Sequence, residues 1–255
     1  MKTTLRVVPA VLALVGLLAV GVTTSSAQTV IISDTFASSG ALNGKAPDTD
    51  TYSAVNWTAG SDFTGNPGTY TSLGGNQAAT LAFVPTSGNV YTLTLTVTLN
   101  GAGSYFWAGF STSGLATQNL AVATDIAGIG VTPTGGVYTV HDGSTLGGNN
   151  LSGGPSAGTQ AVLKLVLDTT GASWKASYFV NNTQFGSIQT LTATSSSFIA
   201  MGGQLNNGTT ASLSSITLTT PTATPEPSTW AMLIGGLGLF ALVFVKRAKK
   251  ASLTL

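Results

Sequence analysis

The residue types of a serine triad occur together once in the chain, in the stretch His141-Asp142-Gly143-Ser144. In a serine hydrolase the histidine takes the proton of the serine hydroxyl, and the carboxylate orients the histidine. Adjacent residues of a strand point to opposite faces, however, so His141 and Asp142 do not line up. Because Asp-Gly also favours a tight turn, we interpret His141 as the end of a strand and Asp142-Gly143 as the turn that follows.

A pair of carboxylates is the second arrangement considered, since glycosidases place two acids on either side of the scissile bond. Asp48 and Asp50 are two residues apart, but they follow Lys45-Ala46-Pro47 in a stretch that predicts a loop. The chain has one glutamate, one histidine and no cysteine, which excludes a thiolate nucleophile, a zinc cluster and a disulfide. We therefore predict that the protein is not an enzyme, has no catalytic residues and needs no cofactor.

Aromatic residues are the candidates for sugar binding, because exposed rings stack on sugar faces. The candidate glycan contacts are Tyr105, Trp107 and Tyr138. Since Tyr105-Phe106-Trp107 lie on one predicted strand, at least one of these rings has to enter the core. We expect Trp57 and Trp174 to be core residues as well.

Two aspartates near the ends of predicted strands, Asp34 and Asp168, are the candidate ligands for calcium. Calcium takes six to eight oxygen ligands from carboxylates and carbonyls. Two carboxylates do not complete such a site, so the sequence predicts no metal centre, and Asp34 and Asp168 stay as candidates only.

The segment that has to position these residues, 28–220, shows a period of two. Residues 91–99 alternate apolar residues with threonine, which predicts a strand with one buried and one solvated face. A regular threonine face also leaves ice binding as a hypothesis. Further strands are predicted, with turn residues between them, at 29–33, 79–84, 105–111, 127–131, 137–141, 162–168, 173–180, 198–201 and 212–219. The fold class predicted is all-β, an antiparallel β-sandwich.

Charge is scarce, at 7% of residues against about 25% in an average soluble protein. Segment 28–220 holds three lysines, seven aspartates and neither arginine nor glutamate, a net charge of −4. A nucleic-acid-binding protein presents a basic surface, so nucleic acid is excluded as a partner.

The N-terminal segment 1–27 has the three parts of a secretory signal peptide. Lys2 and Arg6 precede sixteen apolar residues at 7–22, and small residues end the segment at Ala27. The predicted cleavage by signal peptidase falls between Ala27 and Gln28. An uncleaved anchor is the alternative, but sixteen helical residues span only about 24 Å of the roughly 30 Å hydrocarbon core.

The C-terminal segment begins with a Pro/Thr linker at 221–229, since proline restricts its own φ and that of its predecessor. Residues 230–245 are apolar on every face and begin with Trp230, which predicts a transmembrane helix with an interfacial aromatic. The basic tail 246–255 then acts as a stop-transfer signal in the cytoplasm, through Lys246, Arg247, Lys249 and Lys250. A buried core helix is the alternative.

The C-terminal parts resemble the PEP-CTERM sorting signal of Gram-negative bacteria, which also goes by the name of a C-terminal domain of ice-binding proteins. The resemblance rests on a Pro-Glu-Pro motif, an apolar glycine-containing helix and a basic tail. The motif residues are Pro225, Glu226, Pro227, Ser228, Thr229 and Trp230. The resemblance implies processing by exosortase, a membrane-embedded enzyme, and an inner-membrane stage before release to the cell surface. A plain membrane anchor without processing is the alternative.

Segment 28–220 resembles the concanavalin A-like (laminin G-like) jelly roll. The resemblance is carried by Ile32-Ser33-Asp34-Thr35-Phe36 near the start, by residues 163–174, and by Tyr178-Phe179-Val180-Asn181-Asn182. It implies a late hairpin with a short Asn turn and a last strand that returns beside the first. Immunoglobulin-like and cohesin-like sandwiches are the alternatives.

Together these features predict an exported, non-catalytic protein of the cell surface or extracellular matrix. An uncharged surface rich in hydroxyl and amide groups suits hydrogen bonding to extracellular polysaccharide. The alternative is a lectin-like module for a specific glycan, which an exposed aromatic platform in a groove would favour.

Overall fold

Alternation of threonine with apolar residues produces the central strand of the molecule, β6 (Val90–Asn100). Its apolar residues, from Tyr91 to Leu99, are at most 5% exposed, whereas the threonines between them are partly exposed. Side chains of a strand point alternately to its two faces, so one face of β6 enters the core and the other meets solvent. The prediction of a strand with one buried face is confirmed.

The structure is a computed structural model that describes residues 27–52, 54–64, 69–71, 76–101, 103, 105–114, 125–145, 151–206 and 209–222. Within these ranges, sixteen strands form two sheets of eight. Sheet A contains β1 (Gln28–Asp34), β2 (Thr49–Asp50), β4 (Thr69–Thr71), β6, β12 (Gln160–Asp168), β13 (Lys175–Val180), β14 (Thr183–Thr190) and β16 (Thr210–Pro221). Sheet B contains β3 (Thr58–Ala59), β5 (Asn76–Ala82), β7 (Tyr105–Ser111), β8 (Asp125–Val131), β9 (Thr134–His141), β10 (Ser144–Thr145), β11 (Leu151–Ser156) and β15 (Phe198–Gln204).

All strand pairs described in both sheets are antiparallel. Sheet A runs in the order β14-β13-β12-β6-β16-β1-β2, and sheet B in the order β10-β9-β8-β7-β15-β5-β3. The last strand, β16, lies between β6 and the first strand, β1. The prediction of an antiparallel β-sandwich is confirmed, as is the return of the last strand beside the first.

The hairpin between β13 and β14 turns on Asn181 and Asn182, which have φ of 49° and 65°. Asparagine enters this left-handed region more readily than most residues. The Asn181 side chain also accepts a hydrogen bond from the Val162 backbone N–H at 2.9 Å. The late hairpin with a short Asn turn is therefore present, in agreement with the resemblance to the concanavalin A-like jelly roll.

The core lies between the two sheets and is built from the inward residues of both. Trp57 and Trp174 are buried, at 1% and 5% exposure, and Phe106 is fully buried. The core assignments of Trp57 and Trp174 are confirmed, and Phe106 is the ring of the 105–107 stretch that enters the core. Edge-to-face and tilted ring contacts, such as those of Phe83 with Tyr91 and Phe110, fill one end of the core.

Gln28–Pro221 forms one compact unit. The predicted signal segment 1–27, apart from Ala27, and the predicted transmembrane segment 230–245 lie outside the described residues. Among the residues that are described, no helix is long and apolar enough to cross a membrane.

Candidate functional site

The three candidate glycan contacts lie on one face of sheet B. Phe106 belongs to the core, so the alternation of β7 places Tyr105 and Trp107 on the face turned away from sheet A. In the strand register Trp107 is opposite Gly130 of β8, and Gly130 is opposite Tyr138 of β9. The rings of Tyr105 and Tyr138 are 6.4 Å apart between centroids and tilted by 59°. The fold thus brings together residues that are 33 positions apart in the sequence.

Trp107 lies against the glycines of β8. A Cβ atom at Gly130 would come within 3.0 Å of the Trp107 Cβ, and one at Gly128 within 3.8 Å of its Cε3. Glycine at these positions allows the indole to lie close to the backbone of the neighbouring strand. The side chain is only 1% exposed, so Trp107 does not form part of an exposed aromatic platform, while Tyr105 and Tyr138 are partly exposed.

The indole N–H of Trp107 is buried and has no hydrogen-bond partner among the described residues. A buried donor left without an acceptor costs about 1–3 kcal/mol of folding free energy. This cost makes the position of Trp107 unusual among buried polar groups, most of which find a partner.

The indole N–H of Trp57, a second buried tryptophan, has a hydrogen-bond acceptor. It donates to Asp34 Oδ2 at 2.7 Å, and the Phe36 backbone N–H donates to Asp34 Oδ1 at 2.7 Å. Asp34 is 6% exposed. Burial raises the pKa of Asp34 above its ordinary value of 3.8, and the donors from Phe36 and Trp57 offset part of that rise.

A small pocket lies next to Asp34, with Phe36, Lys45 and Phe63 among its lining residues and a cavity volume of about 40 Å³. This volume holds a few water molecules. The Lys45 ammonium donates a hydrogen bond to the Ser39 carbonyl. We assign the Asp34 corner a structural role.

The structure does not bring the two calcium candidates together. Asp34 is level with Leu95 of β6 and faces the core, whereas Asp168 is level with Val90 on the solvated face. Five residues along a strand correspond to about 17 Å. Asp168 Oδ1 instead accepts hydrogen bonds from the Thr170 hydroxyl and backbone N–H, at 2.6 and 2.9 Å. In the described ranges, no three His, Cys, Asp or Glu residues group as metal ligands.

The stretch from His141 to Ser144 is a hairpin, as predicted. His141 ends β9, and Asp142 and Gly143 form the turn with φ of 46° and 75°. The Asp142 carboxylate accepts hydrogen bonds from the backbone N–H groups of Thr192 and Ala193, at 2.9 and 3.2 Å. Burial acts to raise the pKa of Asp142, but these donors outweigh it and hold the pKa below 3.8. The carboxylate therefore fastens the turn to residues 192–193.

The threonines of β6 form part of a wider hydroxyl surface on sheet A. Thr92, Thr94, Thr96 and Thr98 are opposite Thr219, Thr217, Ser215 and Ser212 of β16. Apart from Thr219, which is buried, these residues are partly exposed, so two adjacent strands present hydroxyl groups on the solvated face. Ice binding by this surface stays a prediction.

The first and the last residue of the domain lie side by side. Gln28 at the start of β1 is opposite Pro221 at the end of β16. The Thr222 backbone N–H also donates to the Ala27 carbonyl at 2.7 Å. The predicted cleavage position between Ala27 and Gln28 therefore lies beside the start of the C-terminal linker. The predicted sorting residues, Pro225 to Trp230, and stop-transfer residues, Lys246 to Lys250, are outside the described part of the chain.

Comparison with protein families identifies the C-terminal segment. Residues 223–248 match the family described as the PEP-CTERM protein-sorting motif. The chain carries a PEP-CTERM sorting motif. The match contains the Pro-Glu-Pro motif and the first two residues of the basic cluster. The comparison with curated proteins gives no match.

Several solved structures are similar to the chain at low identity. The carbohydrate recognition domain of Emp47p is 12% identical, with 79% of this chain and 100% of that chain covered and a TM-score of 0.49. The endo-1,3-β-glucanase from Streptomyces sioyaensis is 12% identical, with coverage of 80% and 99% and a TM-score of 0.49. The VIP36 exoplasmic/lumenal domain is 10% identical, with coverage of 69% and 87% and a TM-score of 0.45. The topology described above rests on the strand pairings and not on these similarities.

The pairing of Asp34 with Trp57 could not be derived from the sequence. From the sequence, Asp34 is a calcium candidate and Trp57 is a core residue. They are 23 residues apart, and nothing in that spacing predicts a hydrogen bond between them. The burial of Trp107 was missed for the same reason, because strand alternation places it on the outer face, where solvent is the ordinary expectation.

Proposed function

We propose that this protein is exported and sorted to the cell surface or extracellular matrix through its PEP-CTERM motif. The observation that carries the proposal is the match at 223–248, which includes Pro225-Glu226-Pro227. In this pathway signal peptidase cleaves between Ala27 and Gln28, and the apolar segment 230–245 holds the protein in the inner membrane. Exosortase then processes the C-terminal segment.

The position of the two ends supports this pathway. Gln28 and Pro221 are paired at one end of the sandwich, so both membrane-directed segments leave the domain at the same place.

The sandwich has a structural or adhesive role and no catalytic one in this proposal. The aspartates considered for catalysis are occupied by nearby donors: Asp48 by Thr35, Asp50 by Tyr52 and Val55, and Asp142 by Thr192 and Ala193. The Ser/Thr surface of β6 and β16 offers neutral hydrogen-bonding groups, which suit contact with extracellular polysaccharide and are insensitive to salt.

The test is a pair of variants in the native host with an epitope tag after Leu255. Replacing Pro225, Glu226 and Pro227 together by alanine removes the motif, and Pro221→Ala changes the linker beside it as a matched control. We expect the wild type and the Pro221→Ala variant to reach the surface without the tag. We expect the triple variant to stay in the membrane fraction with its tag. Surface protein that keeps its tag in the wild type contradicts the proposal.

A lectin-like function is the second candidate, and the grouping of Tyr105, Trp107 and Tyr138 on one face favours it. Burial of Trp107 argues against a simple stacking platform. A glycan would instead have to engage the partly exposed tyrosines first.

A further inference from the structure

The predicted cleavage by signal peptidase leaves a glutamine as the first residue of the mature chain. Gln28 is exposed, and it begins β1 opposite Pro221, the last residue of β16. An N-terminal glutamine carries a nucleophile, its α-amino nitrogen, and an electrophile, the side-chain amide carbon Cδ. A bond between these two atoms closes a five-membered ring, and the reaction is favoured because both groups belong to one residue.

The backbone nitrogen of Gln28 points away from β16. In an antiparallel ladder, residue pairs that exchange hydrogen bonds alternate with pairs that do not. The Thr222 N–H donates to the Ala27 carbonyl at 2.7 Å, so the adjacent pair, Gln28 with Pro221, is of the second kind. Pro221 has no N–H to donate, and β2 pairs with β1 at 32–33, several residues further along. The nitrogen that becomes the α-amino group is therefore not held by the β1–β16 ladder.

The side-chain carbonyl of Gln28 has a donor on the neighbouring strand. The Thr219 hydroxyl donates to Gln28 Oε1 at 3.4 Å, and Thr219 is 9% exposed. Attack on Cδ places negative charge on Oε1, and a donor directed at that oxygen stabilises the charge as it develops. The contact is long for a neutral amide, and a hydrogen bond to a charged oxygen is shorter and stronger.

We propose that Gln28 cyclises to pyroglutamate after signal peptidase has released it. The α-amino nitrogen bonds to Cδ and the Cδ–Nε2 bond breaks. The side-chain nitrogen leaves as ammonia and takes the proton that the amine gives up, so no other reactant is consumed. The proposal rests on the proposed function, because it requires cleavage between Ala27 and Gln28.

The ring is compatible with the end of sheet A and removes a charge from it. Ring closure fixes the side-chain torsions of Gln28, and it leaves its ψ and the pairing of Thr29 with Thr220 unchanged. The Cα atoms of a pair without hydrogen bonds are about 4.5 Å apart, so the new ring lies beside the ring of Pro221. The positive charge that cleavage creates is lost, and an aminopeptidase finds no free α-amino group.

The experiment isolates the mature protein from the surface of the native host. Free amines are methylated on the folded protein before digestion, so that ring closure during handling is not counted. We expect most of the N-terminal peptide to begin with unmethylated pyroglutamate, lighter than the glutamine form by one ammonia in mass spectrometry. Gln28→Asn is the matched control, because its shorter side chain would have to close a four-membered ring, and it should carry a methylated amine.

The contribution of Thr219 is tested by the rate of cyclisation, followed in protein collected at intervals after a pulse of synthesis. Thr219→Val keeps the branched shape and removes the hydroxyl, so it should slow cyclisation roughly threefold. Thr217→Val, two residues away and opposite Ser33, should leave the rate unchanged. An unchanged rate in Thr219→Val overturns the role of its hydroxyl.

Two results for the wild type overturn the proposal: a methylated Gln28 amine, or a mature chain that begins at another residue. The first leaves the proposed function intact, because loss of the C-terminal tag is measured separately. The second also contradicts the predicted cleavage position.

Discussion

Two buried tryptophans, Trp57 in the Asp34 corner and Trp107 on the outer face of sheet B, differ in the hydrogen bonding of their indole N–H groups. Trp57 and Trp107 are both 1% exposed. In the Asp34 corner the indole N–H of Trp57 donates to a carboxylate at 2.7 Å, whereas on the outer face of sheet B the N–H of Trp107 has no acceptor in the part of the chain that the structure describes. The first region has its polar groups satisfied and stabilises the fold. The second keeps a buried donor without an acceptor, which costs stability.

The largest effect is expected from Asp34→Ala, which breaks the satisfied region. Two buried donors, the Phe36 N–H and the Trp57 N–H, lose their acceptor. We expect a loss of about 3–5 kcal/mol in the free energy of unfolding, measured by urea denaturation of the full-length chain in detergent. Asp48→Ala, at an exposed carboxylate, is the control and should cost clearly less. A loss below about 1 kcal/mol for Asp34→Ala shows that the corner does not depend on this carboxylate.

A direct comparison of Trp57→Phe with Trp107→Phe comes next. Both variants lose the same volume, so the cavity cost is similar, but only Trp57→Phe removes a hydrogen bond to a buried carboxylate. We expect Trp57→Phe to lose about 1–3 kcal/mol more than Trp107→Phe in urea denaturation. Equal losses would mean that the two N–H groups are equally well satisfied in the folded protein.

The smallest expected effect concerns how the contributions of Asp34 and Asp142 to the free energy of unfolding change with pH. Burial raises the pKa of Asp34, so its contribution to stability falls as pH rises from 3.8 through the raised folded value. Burial also acts to raise the pKa of Asp142, but the Thr192 and Ala193 donors lower it overall. Its contribution is therefore present above 3.8 and is lost as pH falls through the lowered folded value.

Urea denaturation at about pH 3 and about pH 7 separates the two groups. The stability gap between the wild type and Asp34→Asn should be wider at the acid pH, and the gap for Asp142→Asn should be wider at neutral pH. The same sign for both variants would mean that the Asp34 corner does not disfavour the ionised carboxylate.

Local patterns were sufficient to predict most of the sheet. The alternation of β6 predicts its buried and solvated faces, and the Asp142-Gly143 and Asn181-Asn182 turns follow from residues that enter the left-handed region. The strand β14, Thr183–Thr190, was missed. It has few apolar residues in alternation, and the register shifts opposite Ala176 and Tyr178, where Gly186 has a φ of 70°. A bulge of this kind interrupts the period-two signal.

The candidate site was only partly predictable. Tyr105, Trp107 and Tyr138 were chosen by residue type, and their position on one face follows from a strand register that the sequence does not contain. Gln204 lies opposite Tyr105 for the same reason. Asp34 and Asp168 were chosen as calcium candidates from the ends of strands, but the register separates them by five residues and by face.

The central claim is that the chain is exported and processed through its C-terminal motif, and the intact mass of the mature surface protein tests it most directly. If exosortase cleaves near the Pro-Glu-Pro motif, as we propose, the mature chain begins at Gln28 and lacks the basic tail from Lys246 to Leu255. A surface protein whose mass corresponds to a chain ending at Leu255 contradicts the account.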